Sequence, residues 1–278
     1  MIRHRRMDVA ELGRVLDWAA DEGWNPGLDD AAAFHAADPE GVFLALADDV
    51  PVAAISVVVH GSDRAFLGLY LCRPDWRGRG VGTALWAHAM EHAGDRTVGL
   101  DAVAAQRATY ARLGFVAQGM TVRMSGMPAA VSWPTVPVRP ARPEDVDALV
   151  ALEGRASGWV KPRYLRAWVG GSDTRRSFVV DGADGRPTGF ATVRRCRAGA
   201  KVGPLVAGDA ATADALILRC AAEMPGALSV DARTSALVAR CAALGLVPGF
   251  ETTRMYRGPA PDAPSDAAFH AVTSLELG

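Results

Sequence analysis

A glycine-rich loop is the part of this sequence whose residue types and spacing are best suited to chemistry. The stretch reads Leu69-Tyr70-Leu71-Cys72-Arg73-Pro74-Asp75-Trp76-Arg77-Gly78-Arg79-Gly80-Val81-Gly82-Thr83. An apolar run of strand type leads through a proline turn into the loop, and a helical pattern follows it. Glycine lets the backbone come close to a ligand, and unpaired N–H groups at a helix start favour an anion. The stretch therefore predicts a phosphate or pyrophosphate site.

Other ligand-binding patterns fit this loop less well. A P-loop requires a lysine before Ser or Thr, and the loop contains no lysine. A dinucleotide fingerprint matches Gly78 and Gly80 and could use Asp101 further on, but its third glycine would fall at Thr83. An arginine–glycine patch for RNA would have only two arginines and no interleaved aromatic residues. A tight turn that binds no ligand is the remaining alternative.

Two motifs in the first half resemble a known family. Arg77-x-x-Gly80-x-Gly82 is similar to the Q/R-x-x-G-x-G/A signature of the GNAT (Gcn5-related N-acetyltransferase) superfamily. Tyr110-Ala111-Arg112-Leu113-Gly114-Phe115 resembles the family's Y-x-x-x-G-F helix end, although Val103 stands where the family often has asparagine. The resemblance covers residues 2–126 and implies acetyl-CoA as co-substrate, with no metal. The Glu22–Gly27 stretch and the second half of the chain resemble a bacterial two-domain subgroup.

The resemblance implies roles for residues of the loop and its surroundings. The cofactor-binding residues would be Leu69, Leu71, Arg77, Gly78, Arg79, Gly80, Val81, Gly82 and Thr83. The backbone N–H of Leu71 would polarise the acyl carbonyl where two parallel strands splay apart, and Tyr110 would protonate the leaving thiolate. Glu22 is a candidate general base; Asp101 and a chain of water molecules are the alternatives.

Three further residues are candidates for contact with the acceptor. Trp24 and Asn25 belong to the segment that lines the acceptor groove in GNAT folds, and Trp159 lies in the second half of the chain. Packing in a core is the alternative for both tryptophans. The resemblance leaves open whether the acceptor is a small-molecule or a peptide amine.

One metal-binding pattern has to be weighed. His88-Ala89-Met90-Glu91-His92 fits the H-x-x-E-H pattern of inverted zinc peptidases. The helix that carries it is the one opened by the glycine loop, and no third ligand is evident in the sequence. We therefore interpret both histidines as part of a solvated helix face and predict no metal.

The chain contains an internal repeat. Leu100-Asp101-Ala102 matches Val230-Asp231-Ala232, and Arg123-Met124 matches Arg254-Met255; these and other collinear matches are offset by 130 to 137 residues. We predict a GNAT domain at 1–127 (copy one), a proline-rich linker at 128–137, a degenerate GNAT-like domain at 138–258 (copy two) and a tail at 259–278. Strands that alternate with helices predict an α/β fold with a mixed sheet in each copy.

Copy two lacks the residues that would bind coenzyme A. Its counterpart of the glycine loop, residues 203–211, has no arginine and contains Asp209, which would repel a pyrophosphate, and Cys241 stands where copy one has Tyr110. We therefore expect coenzyme A to bind only to copy one. Copy two would either line the acceptor site, with Trp159, Tyr164 and Trp168 as wall residues, or serve as a packing partner.

Composition narrows the class of protein. The formal net charge is −1, which gives no general attraction to nucleic acid or membrane surfaces. The four cysteines lie far apart, and the chain shows neither a signal-peptide pattern nor a long apolar run, so we expect a cytoplasmic protein. It would be a monomer with internal pseudo-dimer symmetry or a homodimer. The sequence predicts an N-acetyltransferase; the alternative is a non-catalytic acyl-CoA sensor or interaction protein.

Overall fold

The computed structural model describes residues 1–129, 136–261 and 268–278. Copy one contains β1 (Ile2–Arg6), α1 (Val9–Asp21), α2 (Asp30–Ala37), β2 (Val42–Ala47), β3 (Val50–Val59), β4 (Arg64–Cys72), α3 (Val81–Ala93), β5 (Thr97–Val103), α4 (Arg107–Arg112) and β6 (Val116–Gly126). The following residues form β7 (Arg139–Pro140), α5 (Val146–Ser157), α6 (Pro162–Val169), β8 (Arg175–Asp181), β9 (Pro187–Arg195), β10 (Ala200–Ala207), α7 (Ala210–Glu223), β11 (Leu228–Ala232), α8 (Ser235–Ala243), β12 (Val247–Arg257) and β13 (Phe269–Ala271).

Local sequence explains where the first helix begins. Asp8 caps α1 by accepting a hydrogen bond from the backbone N–H of Glu11, at 2.8 Å, and the Glu11 carboxylate accepts one from the N–H of Asp8, at 3.1 Å. The apolar face of α1 packs into a core that also includes side chains of α2 and α6. Asp8 and Glu11 thus form a capping box at the start of α1.

The described strands form one continuous mixed sheet, in the order β1-β2-β3-β4-β5-β12-β6-β11-β13-β10-β9-β8-β7, which confirms the mixed α/β class but joins the sheets predicted for the two copies. Each copy contributes one parallel pair, β4 with β5 and β10 with β11, and the other pairings are antiparallel. Within each copy a strand of the sheet is buried along its whole length, β2 in copy one and β10 in copy two. The first five residues of β6 and β12, at the centre of the sheet, are largely exposed. The sheet positions the two parallel pairs on either side of the centre of the molecule.

The last strand of each copy lies among the strands of the other copy. β12 pairs with β5 of copy one, and β6 pairs with β11 of copy two, while β6 and β12 pair with each other. The domain boundaries at residues 127 and 138 are inferred from the sequence repeat and stay a prediction. Residues 130–135 of the linker lie outside the described residues. Because of the strand exchange, these boundaries do not separate independently packed halves.

Two buried ion pairs fasten the exchanged strands. Arg254 on β12 donates to both carboxylate oxygens of Asp101, at 2.9 and 2.7 Å. Arg123 on β6 donates to both oxygens of Asp231, at 2.6 and 2.9 Å. All four residues belong to the repeated sequence matches, so the same contact is made once in each direction.

The C-terminal segment (residues 268–278) runs through the interior of the molecule. β13 lies between β10 and β11, where it pairs antiparallel with both strands. Residues 272–278 continue inward, and most of them are buried. The sequence predicts only a short tail here, and the proline-rich stretch that precedes it falls partly on residues 262–267, outside the described residues.

Candidate active site

The two parallel strands of copy one separate halfway along their length. β4 and β5 pair from Arg64 with Thr97 up to Leu67 with Leu100, and then the pairing ends. At the same point β4 has a bulge, because Gly68 pairs with Ser56 on β3 while Leu71 pairs with Ala54. The gap between the strands is the entrance to a pocket.

The bulge places two residues of β4, Leu69 and Tyr70, opposite the single residue Ile55 of β3. Arg73 donates to the carbonyl of Val52 at 2.9 Å, and in an antiparallel ladder such hydrogen-bonded pairs alternate. The N–H of Leu71 therefore points to Ala54 and is used within the sheet. In this register Leu69 and Tyr70 lie at the bulge, outside the paired positions of the ladder, and the role of the Leu71 N–H stays a prediction. Leu69 has φ of 47°, the left-handed conformation that a bulge can require.

The pocket is lined by residues of both copies. Copy one contributes Trp24, Leu67, Gly68, Leu69, Tyr70, Leu100, Asp101, Val103, Gln106, Tyr110 and Arg123. The rest of the chain contributes Phe250, Thr252, Leu275 and Glu276. Most of the lining is apolar, and the few polar groups converge from several elements, which is the usual composition of a small-molecule site.

The glycine loop lies between β4 and α3. Gly78 and Gly80 have φ of 75° and 79°, and a Cβ added at either residue would meet no atom within 4 Å. The first helical hydrogen bond is donated by Ala84 to Gly80, so the N–H groups of Val81, Gly82 and Thr83 are free at the helix start. The loop thus combines positive φ angles, open space and free donors, which suits an anion.

The side chains of the loop arginines are held by neighbouring residues. Arg77 donates from Nε to the carbonyl of Cys72 at 2.9 Å and forms an ion pair with Glu22. Arg79 lies over the ring of Trp76, 5.1 Å from its centroid. Glu22, the candidate base, therefore lies beside the glycine loop on the surface and outside the pocket lining.

Tyr110 lies within the pocket lining and is mostly surrounded by aromatic rings. Its ring stacks on Trp86 with centroids 5.8 Å apart and contacts Phe115 edge-on at 6.0 Å. Burial, with a smaller effect of nearby Tyr70, raises the pKa of Tyr110 to about 12. The hydroxyl therefore carries its proton at neutral pH and is able to donate it.

Trp24 and Asn25, the residues of copy one predicted to contact the acceptor, lie in different surroundings. Trp24 lines the pocket, and its carbonyl accepts hydrogen bonds from Arg123 at 3.2 Å and from Lys201 at 2.8 Å. The Asn25 side chain instead donates to and accepts from the backbone of Ala198, at 2.8 and 3.1 Å. The amide of Asn25 thus joins the two copies and is not part of the pocket lining.

The aromatic residues proposed for the wall of copy two pack elsewhere. Trp159 is buried against Phe66 and Tyr256, outside the pocket lining. Tyr164 and Trp168 are also buried in the core, where Trp168 donates from Nε1 to the carbonyl of Gly203 at 2.8 Å. The pocket wall from the second half is formed instead by β12 and the C-terminal segment.

Asp101, the alternative base, is engaged in structure. Both of its oxygens accept from Arg254, and its side chain is fully buried. The ion pair with Arg254 stabilises the charged carboxylate of Asp101 and makes it a weaker base. Its position at the end of the parallel pairing serves the strand exchange.

The corresponding cleft of copy two is filled by the chain itself. β10 and β11 pair in parallel only from Ala200 with Leu228 to Val202 with Val230, as the strands of copy one do before they separate. β13 then occupies the gap, with Ala271 opposite both Leu205 and Ala232. An extended ligand between these two strands would have to displace β13.

The histidines of the H-x-x-E-H pattern contact protein groups. Nε2 of His92 is 2.7 Å from the carboxylate of Asp38, and His88 packs against Phe43 and His4. Among the described residues no group of three His, Cys, Asp or Glu side chains is arranged to hold a metal ion. The described helices also include none that is long and apolar enough to cross a membrane.

Comparison with known proteins gives the same assignment for both copies. Residues 10–115 match the model described as the acetyltransferase (GNAT) family, and residues 149–270 match a second acetyltransferase (GNAT) domain model. A relative named holothin acyltransferase, from Pseudoalteromonas sp. (strain SANK 73390), is 32% identical over 268 residues, which are 95% of this chain and 90% of the relative.

Solved structures share the fold over nearly the whole chain. A Pyrococcus horikoshii protein classed as an acetyltransferase superposes with a TM-score of 0.80 at 18% identity, covering 100% of this chain and 96% of that one. A tandem GNAT protein from the clavulanic acid biosynthesis pathway has a TM-score of 0.61 at 19% identity, with 93% and 99% coverage. The chain belongs to the GNAT superfamily and is a tandem GNAT acyltransferase of the bacterial type.

Sequence analysis missed the part of the pocket that comes from the second half. Phe250 and Thr252 lie on the exchanged strand β12, and Leu275 and Glu276 lie in the C-terminal segment. The repeat preserves an aspartate and an arginine at matching places in both copies, which is consistent with an ion pair but does not show which copy supplies each partner. Nothing comparable marks Glu276, whose place follows from the path of the segment through the fold.

Proposed function

We propose that this protein transfers an acetyl group from acetyl-CoA to a primary amine by direct attack in a ternary complex. The observation that carries the proposal is the meeting of three features at one place: the strand separation after Leu67, the bulge of β4 at Leu69 and Tyr70, and Tyr110 in the pocket lining. The glycine loop adjoins this place at the end of β4.

In this proposal the donor binds along copy one. The pyrophosphate lies on the loop of Gly78 and Gly80 and on the N–H groups at the start of α3, with Arg77 and Arg79 beside it. The pantetheine arm enters between β4 and β5, and the acyl carbonyl accepts a hydrogen bond from an N–H of the bulge, at Leu69 or Tyr70. Donors fixed by the backbone favour the charge that develops on this oxygen.

The chemistry then follows from the groups in the pocket. The amine nitrogen attacks the thioester carbon, the C–N bond forms, and the C–S bond breaks. Tyr110 gives its proton to the leaving sulfur, for which a pKa of about 12 leaves it in the required protonated state at neutral pH. Trp24 and the apolar side chains around it exclude water from the thioester.

The relative named holothin acyltransferase suggests where to begin with acceptors. The test is release of free thiol from acetyl-CoA, followed with DTNB, across a panel of primary amines that also contains holothin. We expect acceptor-dependent release by the wild type and almost none by Tyr110→Phe. Thiol release that does not depend on any acceptor, or no release with the whole panel, would contradict the proposal.

A further inference from the structure

Glu276 is a buried carboxylate that faces the pocket without a partner. The residue is only 5% exposed, and it lines the pocket together with Tyr110 and the bulge of β4. Within residues 1–129, 136–261 and 268–278, its side chain makes no hydrogen bond or ion pair with another protein group. A carboxylate that lines a pocket and makes no ion pair can accept a hydrogen bond from a ligand bound there.

The other charged side chains of the pocket lining are already paired. Asp101 accepts two hydrogen bonds from Arg254. Arg123 donates from Nε and Nη2 to Asp231 and from Nη1 to the carbonyl of Trp24. In the lining as described, Glu276 is therefore the charged group with capacity for a substrate.

The fold holds the backbone of Glu276 on both sides. Nε2 of His60 is 2.9 Å from the carbonyl of Leu277, and the hydroxyl of Tyr164 donates to Oγ of Ser274 at 2.9 Å. The carbonyl of Glu276 lies against Gly68, where an added Cβ would be 2.0 Å from that oxygen. The glycine in the bulge thus makes room for the segment that carries the carboxylate.

Nearby positive charges keep this carboxylate compatible with burial. Arg123, Arg194 and Lys201 lie close enough to Glu276 for its charge to act on each of them. None of the three donates a hydrogen bond to it, since Lys201 donates to Trp24 and Arg194 donates to Asp30 and Thr273. The charge of Glu276 is balanced at a distance, while its oxygens stay available.

We propose that Glu276 binds the amino group of the acceptor, and that the acceptor is a compact, mainly apolar primary amine without a carboxylate. This inference rests on the proposed function. The apolar part of the acceptor would contact side chains such as Trp24, Leu100 and Phe250. An amino acid is disfavoured because its carboxylate would be repelled by the carboxylate of Glu276.

The same contact completes the proton balance of the transfer. The amine loses one proton to the Glu276 carboxylate as the C–N bond forms, and the sulfur gains one from Tyr110 as the C–S bond breaks. Glu276 then returns its proton to solvent, and Tyr110 regains one. Acyl-CoA and amine give amide and free coenzyme A, with no other reactant.

The test uses phenethylamine and phenylalanine, which differ by a carboxylate, as probes on the full chain saturated with coenzyme A. We expect calorimetry to detect binding of phenethylamine and at least 10-fold weaker binding of phenylalanine. Glu276→Gln should weaken phenethylamine binding by about 10-fold or more, the scale of a charged hydrogen bond. Glu276→Asp should recover part of the affinity, and Glu251→Gln, an exposed neighbour of Phe250, should leave it unchanged.

Acetyl-CoA binding by each variant separates this inference from the proposed function. Unchanged acetyl-CoA affinity in Glu276→Gln, with loss of phenethylamine binding, would support the role of Glu276. Equal binding of phenethylamine by wild type and Glu276→Gln, no binding by wild type, or a preference for phenylalanine would overturn it. Failure of the wild type to bind acetyl-CoA would instead overturn the proposed function.

Discussion

At the scale of single residues, Tyr110 is the group on which the proposed chemistry depends most. Replacing it with phenylalanine keeps the ring that stacks on Trp86 and removes only the hydroxyl. We expect Tyr110→Phe to lower kcat by about 10²-fold, the scale of a lost general acid, with little change in the affinity for acetyl-CoA. Steady-state kinetics and calorimetry would measure the two quantities.

The pH profile gives a second check on the same residue. Because the pKa of Tyr110 is raised to about 12, the protonated donor persists as pH rises to about 10. Between pH 8 and about 10 the kcat of the wild type should therefore not fall through loss of the Tyr110 proton. Any fall in that range should also occur in Tyr110→Phe. If Tyr110→Phe had the same kinetics as the wild type, Tyr110 would be a packing residue and not the general acid.

The glycine loop predicted from the sequence has a backbone that suits an anion. Gly78 and Gly80 have positive φ, and a Cβ added at either would meet no atom within 4 Å, whereas Gly82 lies in the first turn of α3. The sequence could not show which backbone N–H of β4 would donate to the acyl carbonyl. A bulge in β4 shifts the hydrogen-bond ladder, and the bulge becomes visible only from the pairing of β4 with β3. Asn25 and Trp159 show that a residue type without a motif does not reveal its neighbours.

At the scale of elements, the C-terminal segment contacts the parallel strands of copy two and the pocket of copy one. β13 fills the cleft of copy two, and the residues after it bring Glu276 to the pocket of copy one. A short, mostly apolar stretch after a proline-rich region gives no periodic pattern in the sequence. Its place is decided by the gap between β10 and β11, which only the folded sheet defines.

Gly68→Ala tests whether this segment is held as described. The new Cβ would lie 2.0 Å from the carbonyl oxygen of Glu276, so either β4 or the C-terminal segment must move. We expect a loss of about 1–3 kcal/mol in the free energy of unfolding, measured with urea, together with weaker acceptor binding. Gly13→Ala is the matched control, since no atom lies within 4 Å of a Cβ there and alanine favours the helix. Equal stability of the two variants would show that the segment is not packed on Gly68.

His60, which contacts Leu277 in this segment, should make stability depend on pH. Burial, and then nearby Lys161, lowers the pKa of His60 to about 3, whereas in the unfolded chain it titrates near the ordinary value of 6.5. The stabilising contribution is therefore complete above pH 6.5 and is lost as pH falls from 6.5 toward 3. The loss is about 1.4 kcal/mol per pH unit in that window.

Comparison with a variant isolates this effect. His270 is also buried with a lowered pKa, so the wild type loses stability through both histidines as pH falls. His60→Gln should show a shallower decline in unfolding free energy between pH 6.5 and 5 than the wild type. His35→Gln, on α2 and only partly buried, should retain the wild-type slope. A parallel decline in wild type and His60→Gln would contradict the assignment.

At the scale of the whole molecule, the exchange of β6 and β12 makes the two copies a single folding unit. The repeat was visible in the sequence, as was the mixed α/β class of each copy. The exchange was not, because β6 and β12 are similar in sequence and either could pair beside β5. The crosswise ion pairs between Asp101 and Arg254 and between Asp231 and Arg123 fix the observed arrangement.

Asp101→Asn tests the exchange and its ion pair. The substitution leaves the fully buried Arg254 guanidinium without its counter-charge, and breaking such a pair costs about 3–5 kcal/mol. We expect a loss of that order in the free energy of unfolding. Asp49→Asn, which removes an exposed ion pair with Arg3, should cost no more than about 1 kcal/mol. Similar small losses in both variants would show that the pair does not hold β12 against β5.

The central claim is that one acyl-CoA site exists per chain, at the separation of β4 and β5. Calorimetric titration with acetyl-CoA tests it most directly, on the wild type and on Gly80→Asp, which places a negative charge and a side chain at a positive φ in the glycine loop. We expect the wild type to bind one molecule of acetyl-CoA per chain and Gly80→Asp to lose that binding. The midpoint of unfolding of Gly80→Asp verifies that the variant is folded. Two equivalent sites in the wild type, or unchanged affinity in a folded Gly80→Asp variant, would contradict it.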